Sequence, residues 1–217
     1  FTRAEEKATL AIQKHSMNVD GKERNPIMDQ AYFLLGKARY YDNRFIPALE
    51  AFNYILYKYP TSEYINKVKI WKEKINIRLN QNKYAIDNLK ELLEEENLLI
   101  EERSLANSYL AQAFINTEQI DSAAYFLKKS NQQFKNIKNN PRNTFLLAQL
   151  YQDLNVKDTA SELYSEIIDL HRKIPRKFYI HSYINKSSLS DSIENSIMEL
   201  KELTMNFENN NFFDIIY

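Results

Sequence analysis

Apolar and polar side chains alternate with the period of an α-helix along most of this chain. In residues 48–59, apolar residues at 48, 52, 55, 56 and 59 form one stripe along a helix, while Glu50, Asn53 and Lys58 are left for solvent. Pro60 then ends the pattern, because proline lacks the amide donor that another helical turn needs. The pattern predicts an amphipathic helix that buries one face.

The same helix recurs along the chain. Four alanines stand at intervals of 37, 38 and 37 residues, and each has a large apolar residue four positions later: Ala48 with Phe52, Ala85 with Leu89, Ala123 with Leu127, and Ala160 with Tyr164. Twelve positions before them stand Gly36, Glu73, Ala111 and Ala148. Small residues at both positions allow two antiparallel helices to approach closely. The period therefore predicts one helical hairpin repeated four times, with Gly36 packed against Ala48 and Glu73 as the exception.

Composition supports helices and narrows the classes of function. Two glycines and five prolines in 217 residues leave little material for tight turns, so we expect no strands. The 29 basic and 29 acidic side chains balance, which removes the bulk attraction that nucleic-acid binding uses. Without cysteine there is no disulfide or thiolate chemistry, and the compartment stays open. No apolar run approaches the roughly 20 residues of a membrane span, and any export signal or lipid anchor would lie upstream of Phe1.

Candidate catalytic and metal-binding groups are sparse. The three histidines, His15, His171 and His181, lie too far apart in sequence to share a helical metal face, and no glycine-rich phosphate loop is present. We therefore predict that the protein is not an enzyme and that it binds no metal, cofactor or small-molecule substrate. His15 follows Ala8 and Ile12 at helical spacing and is expected to be a packed side chain.

Three polar segments each have a structural and a functional interpretation. The acidic residues at 94–96, 101 and 102 are expected to be a solvated helix end, with docking of a basic partner as the alternative. The basic residues at 172, 173, 176 and 177 are expected to cap helix carbonyls, with a phosphate or an acidic partner as the alternative. The long loop 17–27 is expected to be an insertion, with a local contact site as the alternative.

The first hairpin resembles a tetratricopeptide repeat. Tyr32, the Leu35-Gly36 pair, Ala48, Phe52 and Pro60 fall at the offsets of that pattern, whose basic period is about 34 residues. The resemblance implies an all-α protein, a right-handed α-solenoid of tetratricopeptide-type helical hairpins. We predict a single array over residues 1–217: a partial unit at 1–16, clear repeats at about 29–60, 65–96, 104–135 and 141–174, a degenerate helical unit at 176–207, and the truncated start of another at 212–217.

The resemblance also implies where a partner binds. The first helix of each hairpin lines the concave wall of such a solenoid, and peptides or partner helices bind there. The groove-facing positions implied for this chain are Phe33, Lys37, Tyr40, Lys74, Ile77, Gln112, Ile115, Phe145, Gln149 and Gln152. Phe33 and Phe145 could equally pack between neighbouring hairpins. The set lacks the lysine and asparagine clamp of chaperone-binding members, so chaperone docking is not expected.

A narrower resemblance covers residues 3–80 most strongly and extends more loosely to about 185. The segments 3–17, 20–26, 37–42 and 44–60 are similar to the gliding-motility tetratricopeptide lipoproteins of Bacteroidetes, the SprE/PorW type, which are associated with the type IX secretion system. This resemblance implies a periplasmic outer-membrane lipoprotein that acts as an adaptor, linking the secretion translocon to periplasmic ring and motor components. Two alternatives remain open, a cytoplasmic peptide-binding co-factor and the regulatory repeat region of a larger enzyme.

Overall fold

The computed structural model describes residues 1–133, 140–190 and 192–216, and most of these residues are helical. The predicted all-α class is confirmed. The helices are α1 (Thr2–His15), α2 (Met28–Tyr41), α3 (Phe45–Lys58), α4 (Ile65–Arg78), α5 (Asn82–Glu94), α6 (Ile100–Asn116), α7 (Ile120–Gln133), α8 (Pro141–Asp153), α9 (Lys157–Asp169), α10 (Arg176–Leu189), α11 (Ile193–Met205) and α12 (Phe213–Ile216). Short 3₁₀ helices occupy His171–Lys173 and Phe207–Phe212.

The chain divides into two compact units, residues 1–117 and residues 118–217. In unit 1, α2 packs on α1 and α3, α4 packs on α3 and α5, and α6 packs on both α4 and α5. In unit 2, α8 packs on α7 and α9, and α10 packs on α9 and α11. Three predicted segments extend beyond the described residues: the repeat at 104–135 at positions 134 and 135, the unit at 176–207 at position 191, and the last segment at position 217. The single array over 1–217 stays a prediction.

A left-handed residue follows the first helix of four hairpins. Asn43, Asn80, Glu118 and Asn155 have φ values of 58°, 62°, 58° and 59°. After α2 the amide of Asn43 donates to Tyr40 O and that of Arg44 donates to Arg39 O, which is the paired arrangement of a Schellman motif. The same two bonds recur after α4 and after α8. Asparagine tolerates this conformation better than most residues, so it turns the chain where glycine is absent.

The first hairpin closes around one aromatic ring. Phe52 is fully buried with Ala48 and Ile55 of α3, and the core continues through Val68 and Ile75 of α4. Gly36 of α2 lies directly against this ring, because a Cβ built on Gly36 would stand 2.5 Å from a ring carbon of Phe52. We expected Ala48 as the nearest partner of Gly36, and the nearest atoms are instead those of Phe52. The glycine is needed to make room for the phenylalanine.

A two-stranded hairpin lies between α1 and α2, so the expectation of no strands was wrong at this point. β1 (Asn18–Val19) and β2 (Lys22–Glu23) pair antiparallel across a turn formed by Asp20 and Gly21. Their φ values of 52° and 75° are those of a two-residue turn that twists with the strands. The chain supplies one of its two glycines where this turn requires it.

Two smaller expectations are also corrected. His15 is exposed at the end of α1, where the helix turns away, so it is not the packed side chain that the spacing predicted. Of the basic residues expected to cap helix carbonyls, the two arginines have side-chain partners instead: Arg172 forms an ion pair with Glu208 at 2.5 Å, and the Nε of Arg176 donates to Asn209 Oδ1 at 2.8 Å. Arg172 in the 3₁₀ helix and Arg176 in α10 thereby join this region to the segment that follows α11. The Glu208 carboxylate is a stronger partner for a guanidinium group than a solvated carbonyl, because both groups are charged.

Glu73 stands on α4 where the other hairpins have a small residue, and it is buried. Its Oε2 accepts from Asn76 Nδ2 at 2.8 Å and its Oε1 accepts from Asn88 Nδ2 at 2.9 Å. Burial raises the pKa of Glu73 above its ordinary value of 4.5, and the two amide bonds only partly oppose this. The two asparagines satisfy the carboxyl group and allow a large polar side chain to occupy a close helix contact.

We expect the raised pKa of Glu73 to appear as a pH-dependent loss of stability. Between pH 4.5 and the raised folded pKa, the folded state binds more protons than the unfolded chain, so the free energy of unfolding falls as pH rises through this window. Glu73→Gln should abolish that part of the dependence. Urea denaturation of both proteins at pH 4 and pH 7 measures it, with Glu91→Gln, an exposed position on α5, as the control. Parallel pH profiles of the wild type and Glu73→Gln would contradict the assignment.

Candidate partner-binding surface

Lysine side chains and aromatic rings from α2 and α4 converge in unit 1. Lys37, Tyr40 and Tyr41 lie three and four positions apart on α2, and Trp71 and Lys74 lie three apart on α4, so each set shares a helix face. We call these five residues the aromatic–lysine surface. Trp71, which is 8% exposed, forms its buried floor, and the other four side chains are partly or fully exposed above it. Within it, the Nζ of Lys74 lies 3.9 Å from the ring centroid of Trp71 and 4.4 Å from that of Tyr40.

Cation–π contacts hold both lysines in place. The Nζ of Lys37 lies 5.4 Å from the Trp71 centroid and 5.5 Å from the Phe33 centroid. The Nζ of Lys74 also lies 5.3 Å from the rings of Tyr41 and Tyr109, the latter on α6. For each lysine such an interaction contributes about 0.5–1 kcal/mol at an exposed site. The surface therefore combines positive charge with aromatic area.

The structure places the other unit 1 residues of the predicted groove at different depths. Phe33 is 9% exposed and Ile77 is 7% exposed, so both lie beneath the surface. The ring of Phe33 contacts those of Phe52 and Trp71 at centroid distances of 5.8 and 6.3 Å. This matches the alternative in which Phe33 packs between helices. Gln112 and Ile115 on α6 are half-buried, and Gln112 Nε2 donates to Asn116 Oδ1 at 3.1 Å.

The three predicted residues of unit 2 lie on α8. The ring of Phe145 contacts Tyr164 and Phe178 at centroid distances of 5.8 and 5.9 Å, so it also packs between hairpins. Gln152 Oε1 accepts from the hydroxyl of Tyr164 at 2.9 Å, and that hydroxyl accepts from Asn185 Nδ2 at 3.0 Å. Gln149 is half-buried. Phe145 and Gln152 therefore stabilise contacts between helices. The role of all three residues in binding stays a prediction.

Sequence reasoning missed Trp71, Tyr41 and Tyr109 as members of this region. The sequence did contain a signal for them: Trp71 lies three positions before Lys74, and Tyr41 lies four positions after Lys37. Tyr109 lies on α6, the first helix of the next hairpin. Which aromatic side chains face a lysine depends on the packing of α2 against α4, and one helix period does not give that.

The acidic residues near 94–102 have mainly structural partners. Glu102 is buried, and its Oε2 accepts from the amide of Leu99 at 3.2 Å, which satisfies a backbone donor at the start of α6. Glu95 forms an ion pair with Lys69 at 2.7 Å. Glu94, Glu96 and Glu101 are exposed. Glu95 and Glu102 therefore have structural partners near the helix ends, as expected for a solvated helix end.

Metal binding and membrane crossing each require a recognisable structural feature. Among the described residues, no group of three or more histidine, cysteine, aspartate or glutamate side chains is placed to hold a metal ion. In that same part of the chain, no helix has both the length and the apolar character that crossing a membrane demands.

The chain is similar in structure to known helical-repeat proteins, although no family model and no curated protein matches its sequence. A crystal structure of MamA protein is 16% identical, with a TM-score of 0.62 over 87% of this chain and 97% of that one. BtubC (BKLC) from P. vanneervenii is 13% identical, with a TM-score of 0.67 over 96% and 85%. Kinesin light chain nearly identical TPR-like repeats from Podosopora anserina are 14% identical, with a TM-score of 0.66 over 88% and 99%. The chain therefore has the fold of an all-α solenoid of tetratricopeptide-type helical hairpins.

Proposed function

We propose that this protein is a non-enzymatic scaffold for protein–protein interaction, and that unit 1 binds a partner segment on the aromatic–lysine surface. The observation that carries the proposal is the convergence of two lysines and three aromatic rings from α2 and α4. Tyrosine and tryptophan supply much of the binding energy at protein interfaces, and positive charge steers an acidic segment toward them. No cofactor and no nucleic acid takes part in this function.

The specific role that we propose is an adaptor in gliding motility and type IX secretion. The similarity of residues 3–80 to the SprE/PorW-type lipoproteins supports it, and so does the helical-hairpin fold, which presents extended surfaces without catalytic groups. In this role the protein resides in the periplasm, is held at the outer membrane by a lipid anchor outside residues 1–217, and links the translocon to periplasmic ring and motor components. Its membrane contact is made only through that anchor.

Reversing the charge of the aromatic–lysine surface should weaken partner binding by about tenfold or more without unfolding the protein. The double variant Lys37→Glu/Lys74→Glu replaces both ammonium groups, and the lost cation–π contacts cost only about 1–2 kcal/mol of stability. Lys83→Glu, an exposed position on α5, is the control for a change of charge alone. Affinity for the captured partner is measured by biolayer interferometry and folding by circular dichroism. Equal affinities of the double variant and Lys83→Glu would move the interface elsewhere.

The partner itself is identified by affinity purification of the tagged full-length protein from cross-linked native cells, followed by mass spectrometry. Recovery of outer-membrane translocon and periplasmic ring subunits with the wild type, and their loss with Lys37→Glu/Lys74→Glu, is the expected result. Recovery of soluble cytoplasmic proteins would replace the adaptor role with that of a cytoplasmic peptide binder. Discovery of a catalytic domain in the full-length chain would favour a regulatory repeat region instead.

A further inference from the structure

A second concave region lies in unit 1, away from the aromatic–lysine surface. It is a cleft of about 560 Å³ between the segment that precedes α2 and the loop that joins α3 to α4. Binding sites for small ligands and side chains commonly occupy about 300–1,000 Å³. None of the five residues of the aromatic–lysine surface lines this cleft.

The wall formed by residues 16–27 is fixed by hydrogen bonds to Glu23. Its Oε1 accepts from the amides of Met17 and Asn25 at 2.7 and 2.9 Å, and its Oε2 accepts from the hydroxyl of Ser16 at 2.5 Å. The Nζ of Lys58, at the end of α3, donates to the carbonyl of Gly21 at 2.6 Å and ties the hairpin to the opposite side. The inserted loop is therefore an ordered wall with a defined position.

The charge of the cleft is predominantly negative. Glu23, Asp29 and Glu63 line it with Lys58 as the cation among its described lining residues. None of the three carboxylates forms an ion pair with a side chain that the structure describes. Asp29 accepts from the hydroxyl of Ser62 and from the amide of Gln30, and Lys58 is engaged by a backbone carbonyl. Negative charge therefore exceeds positive charge within the cleft.

Two tyrosines on the wall of the cleft have a raised pKa, and the negative charge is one of the causes. Burial is the main cause of the raised pKa of Tyr59 and of Tyr64, and nearby carboxylates raise both further. Glu23 and Asp29 act on Tyr59, while Glu63 and Asp29 act on Tyr64. The same rings provide apolar area beside Ile27, whose side chain is 54% exposed. Negative potential and aromatic walls therefore occur together.

These features are complementary to one kind of side chain. Lysine and arginine have an apolar stem that packs along rings and a cationic head that remains near carboxylates. Arginine also stacks on aromatic faces and donates to two oxygens at once. We propose that the cleft binds a lysine- or arginine-bearing peptide segment of a partner protein, with the stem along Tyr59 and Tyr64 and the cation among Glu23, Asp29 and Glu63.

The probe for this site is a fluorescein-labelled five-residue peptide of alternating glycine and arginine, compared with the same peptide carrying glutamate. Because the net charge of the protein is zero, a cationic probe has no general attraction to it. We expect saturable binding of the arginine peptide only, measured by fluorescence anisotropy at 0.1 M salt. Backbone amide shifts in NMR spectra should be confined to residues 21–30 and 58–64. Equal binding of both peptides, or shifts elsewhere, would overturn the proposal.

Charge-removing variants test the carboxylates. Asp29→Asn/Glu63→Gln should weaken binding of the arginine peptide about tenfold, whereas Glu50→Gln/Glu96→Gln, two exposed positions outside the cleft, should leave it unchanged. Asparagine keeps one of the two acceptor oxygens of Asp29, and its Nδ2 can donate to the hydroxyl oxygen of Ser62 at the other position. Glu63→Gln alone serves if the double variant unfolds. Equal affinities of the two double variants would refute the site. Lys37→Glu/Lys74→Glu should bind the probe normally, so failure of the aromatic–lysine surface and failure of the cleft are distinguished.

Discussion

Replacing Phe52 with alanine is expected to lower the free energy of unfolding by about 3–5 kcal/mol. The side chain is fully buried, and its ring lies 5.8 Å from that of Phe33 and 6.2 Å from that of Trp71. Truncation removes the contacts that join α2, α3 and α4 and leaves a cavity that rigid helices only partly fill. Urea denaturation followed by circular dichroism measures the loss.

The control for this variant is Tyr57→Ala on the same helix. Tyr57 is 85% exposed, and substitutions at such positions usually change stability by less than about 0.5 kcal/mol. The two variants remove rings of similar size from positions five residues apart on α3, so their difference isolates burial. A loss below about 1 kcal/mol in Phe52→Ala would show that the three helices are not joined through this ring.

Changing Gly36 to alanine is expected to destabilise the protein by about 1–3 kcal/mol. Helix propensity alone predicts the opposite, because alanine is better than glycine inside a helix by about 0.5–1 kcal/mol. The added Cβ would lie 2.5 Å from a carbon of the Phe52 ring, and that ring is enclosed by the core and has little room to move. Thermal and urea denaturation of the variant show directly whether the free energy of unfolding falls or rises.

A double-mutant cycle tests whether the cost arises from this contact. In the Phe52→Ala background the space beside Gly36 is vacant, so Gly36→Ala should become neutral or stabilising. A coupling energy of at least about 1 kcal/mol is expected between the two positions. Additive effects would mean that the glycine is needed for a reason other than the ring of Phe52.

Local sequence rules predicted the helices and most of their order. The alanine period and the amphipathic stripe depend on positions close together in the chain, and the structure has helices there. A second periodic signal was overlooked: Asn43, Asn80 and Asn155 recur with the spacing of the alanines and turn the chain in a left-handed conformation after α2, α4 and α8. Asparagine at such a point indicates a helix end.

The surfaces were harder to predict because they depend on contacts between distant segments. The cleft brings Glu23 and Asp29 together with Glu63, and neither helix period nor charge counting joins the loop before α2 to the loop after α3. The depth of Phe33 and Ile77 likewise follows from how α2 and α4 pack. Repeat spacing gave the first helix of each hairpin correctly but not which of its residues reach solvent.

The arrangement around Trp71 also makes the protein its own optical reporter. The sequence contains a single tryptophan, and the structure buries it to 8% exposure beneath the ammonium groups of Lys37 and Lys74. An indole in this setting should emit at short wavelength, with an intensity set by the charges beside it. Any ligand that displaces either lysine from the ring would change the emission of one known residue, so occupancy of this surface could be followed in unlabelled protein.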